Sequence, residues 1–174
     1  MNRRPVRAAR LVPSTQEALD RITHVAGETL GVDVVCASLV DVQRRLVVSS
    51  YGQSAPAALL LAHPFRKHVS ASRRPLVVAD GRRDPLLARN PVVRDGTVRS
   101  CVGVRLGTTE GRAIGTLLAL DHRPRRWTTR QLVLLGELAV AIVSEVELED
   151  AVCRVPIRDA SRRRVPAAPD VGRE

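Results

Sequence analysis

The sequence predicts an α+β domain, and three stretches of its 174 residues carry that reading. In 98–106, Val102, Val104 and Leu106 alternate with Cys101, Gly103 and Arg105. Past a turn bracketed by Gly107 and Gly111, residues 113–120 alternate again, so the two runs form a β-hairpin. Directly after it, Thr128 or Thr129 caps a helix reaching about Val152, apolar around more than half its circumference. Near the other end, Ala18, Leu19, Ile22, Val25, Ala26 and Leu30 recur at helical spacing ahead of a β-branched run.

In chain order, Ser14 or Thr15 caps the first helix with Glu17 as the capping-box partner, and Gly31 stops it. The stretch 32–40 is nearly all apolar and β-branched around Asp33, Cys36 and Ser38, as a central strand buried on both faces requires. A turn at 41–44 leads to a second strand, 46–50, ended by Tyr51 and Gly52. Residues 53–72 are irregular. Pro75 then opens a brief strand over 76–79, since proline is tolerated at the first position of a strand. Asp80-Gly81 turns the chain, and 82–95, with two prolines and four arginines, reads as a loop containing one helical turn. In the hairpin that follows, the small residues Cys101, Gly103 and Gly115 are expected on one face. Glycines inside strands mark close approach by a packed helix or by a small ligand.

The length suits one domain with its own core. Lysine occurs only as Lys67, so arginine carries the net charge of +10, and the two ends, 1–14 and 153–174, hold seven of those ten charges. Proline-rich, arginine-rich ends with few apolar residues describe disordered tails or a salt-sensitive nucleic-acid contact. The domain itself then spans 15–152. No apolar run approaches the roughly 20 residues of a membrane span, and the basic start lacks an apolar continuation, so a cytoplasmic protein is expected. Cys36, Cys101 and Cys153 form no metal-ligand spacing and read as reduced thiols.

Several phrases in register resemble a GAF domain of the stand-alone bacterial signalling type. They are Gly31-Val32 with Leu39-Val40-Asp41, Arg74-Pro75-Leu76-Val77-Val78 with Asp80 and Asp84-Pro85, Gly103-Val104 with Leu106, Ile114-Gly115-Thr116-Leu117 ending at Asp121, and Trp127-Thr128. The resemblance covers about 15–150. It implies a PAS-related central antiparallel sheet of five to six strands, with the N- and C-terminal helices on one face and short helices and loops over the other. It also implies a small-molecule effector between that second face and 53–95, and a homodimer through the terminal helices.

The wide apolar stripe of the last helix points to Leu132, Leu135, Leu138, Ile142 and Val146 as the dimer interface. Tyr51, Phe65, His68, Asp80 and Arg82, set over the small face at Cys101, Gly103 and Gly115, form the expected effector site, because binding residues concentrate in loops on a rigid sheet. The arginines Arg82, Arg83, Arg89 and Arg94 with Asp80 and Asp84 either make surface ion pairs or recognise an anionic ligand. His63 and His68 lack a third ligand, and His24 and His122 have no nearby partners, so no metal is assigned and no cofactor is named. The function expected is a non-catalytic sensory module acting on a small molecule or a separate signalling protein. The alternatives are a redox enzyme of the free methionine sulfoxide reductase type and a nucleic-acid binder through the tails. No nucleophile and base are visibly paired, so no catalytic residue is assigned.

Overall fold

The computed structural model describes residues 11–40, 45–52, 74–85 and 87–154. Helix α1 (Pro13–Leu30) opens on Pro13 rather than on a Ser14 or Thr15 cap. A proline at the first helical position gives up only an N–H that would have no partner there, and its fixed φ suits the helix, so the start moves back to Val12. Gly31 closes the helix in the left-handed conformation (φ 58°), its N–H bonded to the Glu28 carbonyl.

Five strands follow: β1 (Val34–Val40), β2 (Arg45–Tyr51), β3 (Leu76–Val78), β4 (Ser100–Gly107) and β5 (Ala113–Asp121). They pair antiparallel in the order β2-β1-β5-β4-β3. Between β3 and β4 lie a single 3-10 turn at Gly81–Arg83, capped by the Asp80 side chain, and the four-residue helix α2 (Pro91–Arg94), capped by Asn90. Helix α3 (Thr129–Arg154) starts with a reciprocal cap, in which Thr128 N–H donates to Gln131 Oε1 and Gln131 N–H to Thr128 Oγ1.

The sheet is buried on both sides, and β1 is covered on both faces as its β-branched run requires. Val35, Ala37 and Leu39 of β1, Val102, Val104 and Leu106 of β4, and Leu117 and Ala119 of β5 pack under α1 and α3. Val34, Cys36, Cys101, Leu118 and Leu120 point the other way and lie under Leu87, Val92, Val93 and Val98 of the β3–β4 connection.

Two expectations fail on this arrangement. Gly103 pairs with Leu118 and Leu76, on the face of the β3–β4 connection, whereas Gly115 pairs with Leu106 and Leu39, beneath the helices. Cross-strand partners share a face, so the two glycines lie on opposite sides of the sheet and form no common hollow. The dimer stripe is also corrected. Leu135, Ile142 and Val146 are buried in the chain's own core, with Leu132 and Leu138 packed against it, because α1 supplies the second surface that the wide stripe of α3 requires. The apolar residues of α3 left in solvent are Val133, Val140, Leu148 and Val152.

The N-terminal tail up to residue 10, the C-terminal tail from 155 and the segment 53–73 lie outside the described residues. Among the described residues no helix is long and apolar enough to cross a membrane.

Candidate functional site

The end of the sheet where β1 begins and β5 finishes gathers charge that the sequence scatters. Val34 pairs with Leu120, so Asp33 and Asp121, one step further on each strand, come side by side at the edge of the apolar sheet. His122 follows directly. Its backbone N–H donates to Asp33 Oδ2 at 2.8 Å, and its Nδ1 is in close contact with the same oxygen. Arg123 Nε donates to His122 Nε2 at 3.1 Å. An arginine can only donate, so Nε2 accepts and the ring proton sits on Nδ1, facing Asp33. Partial burial pushes the Asp33 carboxyl up, but the hydrogen bonds from the His122 backbone N–H and ring outweigh it and hold the group below its usual range.

Asp121 is only 3 % exposed, and each of its oxygens accepts a hydrogen bond. Its Oδ1 accepts from Arg123 N–H at 2.8 Å and lies 3.6 Å from His122 Nδ1; its Oδ2 accepts from Arg125 Nε at 2.5 Å. The same Arg125 guanidinium donates to the carbonyls of Leu30 (3.1 Å) and Gly31, the last acceptors of α1. Its Cζ lies over Trp127, 5.8 Å from the ring centre, and the indole N–H of Trp127 donates to Val78 O at 3.2 Å. One side chain therefore ties the end of β5 to the end of α1, four residues before α3 begins.

Beside this cluster a cleft of about 590 Å³ runs along the sheet end. Val34, Val98 and Leu120 give it an apolar floor, Asp33, Asp121 and His122 form one wall, and Tyr51, Gly52 and Thr97 form another. An apolar floor with a few convergent polar groups is the usual make-up of a small-molecule site.

Of the residues expected at a site, Tyr51 borders this cleft, but its ring packs on α1 beside Gly27 and its hydroxyl donates to Glu28 Oε1 at 2.7 Å. Asp80 is held by Arg99, which donates to both its oxygens at 3.1 and 2.9 Å, and it accepts Arg82 only through the backbone N–H at 3.2 Å. The Arg82 side chain is exposed. Cys101 and Gly103 lie buried beneath the β3–β4 connection, Gly115 is on the opposite face, and Phe65 and His68 fall outside the described residues. Cys36 and Cys101 are buried thiols; burial pushes the Cys101 thiol well up, and the nearby charge of Asp84 adds to it. The reading of His122 as partnerless is overturned by Asp33, 89 residues away. The signal that could have found this pair is the β1–β5 register, with a lone acid at the start of one apolar strand and another at the end of its partner.

The family model for the GAF domain matches residues 14–146. Among solved structures, the GAF domain of a phosphoenolpyruvate-protein phosphotransferase from Coxiella burnetii is similar with a TM-score of 0.68 at 16 % identity, over 82 % of this chain and 88 % of that one. The blue-light absorbing form of the PixJ GAF domain from Thermosynechococcus elongatus gives 0.66 at 21 %, over 85 % and 97 %. Free methionine-R-sulfoxide reductase from Neisseria meningitidis, in complex with its substrate, gives 0.64 at 22 %, over 79 % and 81 %. At such identities these likenesses show a shared fold. None of the curated proteins searched matches the chain.

Proposed function

Because this chain belongs to the GAF domain family, we propose that it is a non-catalytic regulatory module in which a small molecule or signalling partner engages the sheet-end cleft and the terminal helices report it. The observation that carries this reading is the Arg125 bridge. A ligand that moves Asp121 or His122 pulls on the guanidinium, which holds the C-terminal carbonyls of α1 and sits just ahead of α3. Any such shift is transmitted only as far as the ligand discriminates between the two arrangements.

The burial of Cys36 and Cys101 supports binding over redox catalysis, because the attacking species of a cysteine enzyme is an accessible thiolate. Exposure of Val133, Val140, Leu148 and Val152 supports a homodimer through the solvent side of α3, in place of the buried stripe. We place the module in the cytoplasm on the same reading.

The test is a thermal-shift screen of small metabolites on the full chain. Trp127, the single tryptophan, serves as a built-in reporter beside Arg125. A true effector raises the melting temperature and shifts Trp127 emission, and both responses vanish in Thr97→Phe, which fills the cleft from its exposed wall. Hits indifferent to Thr97→Phe, or none at all, would remove the cleft from the proposal.

A further inference from the structure

We propose that Asp33, Asp121 and His122 form a binding site for one divalent transition-metal ion at the wall of the cleft. Three chemistry-bearing groups from two strand ends converge there, with a donor atom from each lying within 4.8 Å of the others. The donors are one imidazole nitrogen and two carboxylate oxygens. That set suits a borderline ion such as Zn²⁺ or Fe²⁺, and its two carboxylates admit the harder Mn²⁺, whereas Mg²⁺ and Ca²⁺ favour oxygen donors alone.

The supports around the donors are already built. Asp121 is buried, with Arg125 on one oxygen and the Arg123 N–H on the other, so its Oδ1 is aimed at His122 rather than free to turn away. Outer partners of this kind orient ligands and sharpen affinity. Asp33 and His122 are 44 % and 52 % exposed, so they can part to admit an ion, and the His122 N–H keeps Asp33 in place through one oxygen while leaving the other available. The guanidinium of Arg125 offsets one of the two negative charges, which argues for an ion held by geometry as well as by charge.

Three protein ligands leave a coordination position open, and all three residues line the cleft. On binding, the Nδ1 proton leaves to solvent, the metal takes its place, and Nε2 takes up a proton so that the ring stays neutral. The exposed Arg123 side chain must then release Nε2. The proposal concerns the ion alone and holds whether or not the cleft takes an organic effector.

Isothermal titration of the full chain carrying Cys153→Ser, in a non-chelating buffer, tests it with Zn²⁺ and Mn²⁺. One saturable site per chain is expected. Asp33→Asn and His122→Ala should each weaken binding about tenfold or more, and Mg²⁺ should bind about tenfold more weakly or less. The His63→Ala/His68→Ala pair should change nothing. Should His122→Ala fail to fold, Mn²⁺ broadening of histidine ring resonances in the parent chain decides the matter, and those of His122 should broaden first and most. Absence of saturable binding, full affinity in a folded His122→Ala, loss of binding in the His63/His68 variant, or broadening confined to other histidines would each overturn the proposal.

Discussion

Arg125 donates to the buried Asp121 carboxylate at 2.5 Å while its other nitrogens hold the Leu30 and Gly31 carbonyls, so a single ion pair closes the seam between the sheet and the first helix. Removing it leaves a carboxylate of 3 % exposure without its cation and two helix-end carbonyls without a donor. Arg125→Ala should lower stability by about 2–3 kcal/mol, as expected when a buried charged partner is orphaned. Arg125→Lys should recover only part of this, because an ammonium cannot reproduce the planar fork. Arg123→Ala, which removes an exposed side chain but keeps the N–H to Asp121, should stay within about 0.5 kcal/mol. Urea denaturation of the three variants makes the comparison.

Gly27 and Tyr51 form a second coupled pair. A Cβ on Gly27 would fall 2.1 Å from a carbon of the Tyr51 ring, so the glycine in the last turn of α1 is a seat for the aromatic ring. Alanine gains about 1 kcal/mol of helix propensity there but must displace the ring, at about 1–3 kcal/mol. Gly27→Ala is therefore expected to destabilise the parent protein and to stabilise a Tyr51→Ala background. A double-mutant cycle should show coupling of about 1–3 kcal/mol, and additive effects would separate the two residues.

Gly115 offers no such rescue, since its missing Cβ would lie 2.1 Å from the Ser38 backbone oxygen on the neighbouring strand. Gly115→Ala must push β1 and β5 apart in the middle of the sheet. A loss of about 3 kcal/mol or more is expected, at or beyond the upper end of ordinary overpacking. A thermal melt within a degree or two of the parent would show that the strands yield more easily than their contact suggests.

Those glycines show where the sequence was legible and where it was not. Alternation located β4 and β5, the continuous β-branched run located β1, and the capping residues located α3, because local pattern reports which residues share a face within one element. It does not report which face of one strand meets which face of the next. The register Leu106–Gly115 decides that, and it sends Gly115 beneath the helices, away from Gly103. The Asp33–His122 pair was hidden for the same reason, its members being joined only when β1 and β5 align. The breadth of the α3 stripe correctly demanded two partners, but it held no information on whether the second belonged to the same chain. Nor did the sequence show that the Tyr51 ring would seat on α1, in the gap that Gly27 leaves.

Asp80 should leave a mark on the acid limb of stability. The hydrogen bonds and charge of Arg99 hold its carboxyl below the usual range. A depressed folded value means that its stabilisation is present above the unfolded value and is lost as pH falls through the folded one. Asp80→Asn should therefore be less stable than the parent at neutral pH, and the gap should close below about pH 4. Urea midpoints across that range check it, and a gap independent of pH would assign the loss to the Asp80 cap on Arg82 N–H instead of to the Arg99 pair.

The solvent side of α3 separates a core role from an interface role. Val133 and Val140 are 55 % and 66 % exposed and lie seven residues apart, a spacing that keeps them on one stripe for a second helix to cover. Leu135 is fully buried against the sheet of its own chain. If the protein dimerises through α3, Val140→Glu should yield a monomer by analytical ultracentrifugation with a melting curve close to that of the parent, since an exposed valine contributes little to the fold. Leu135→Glu should unfold the chain, because an isolated carboxylate cannot be buried among Leu39, Val104 and Ile142 without a partner. The contrast holds at matched protein concentration, where the mass change cannot be attributed to loss of fold. A parent chain that sediments as a monomer, or a Val140→Glu variant that keeps the parent's mass, would place the pairing of copies elsewhere than on this face.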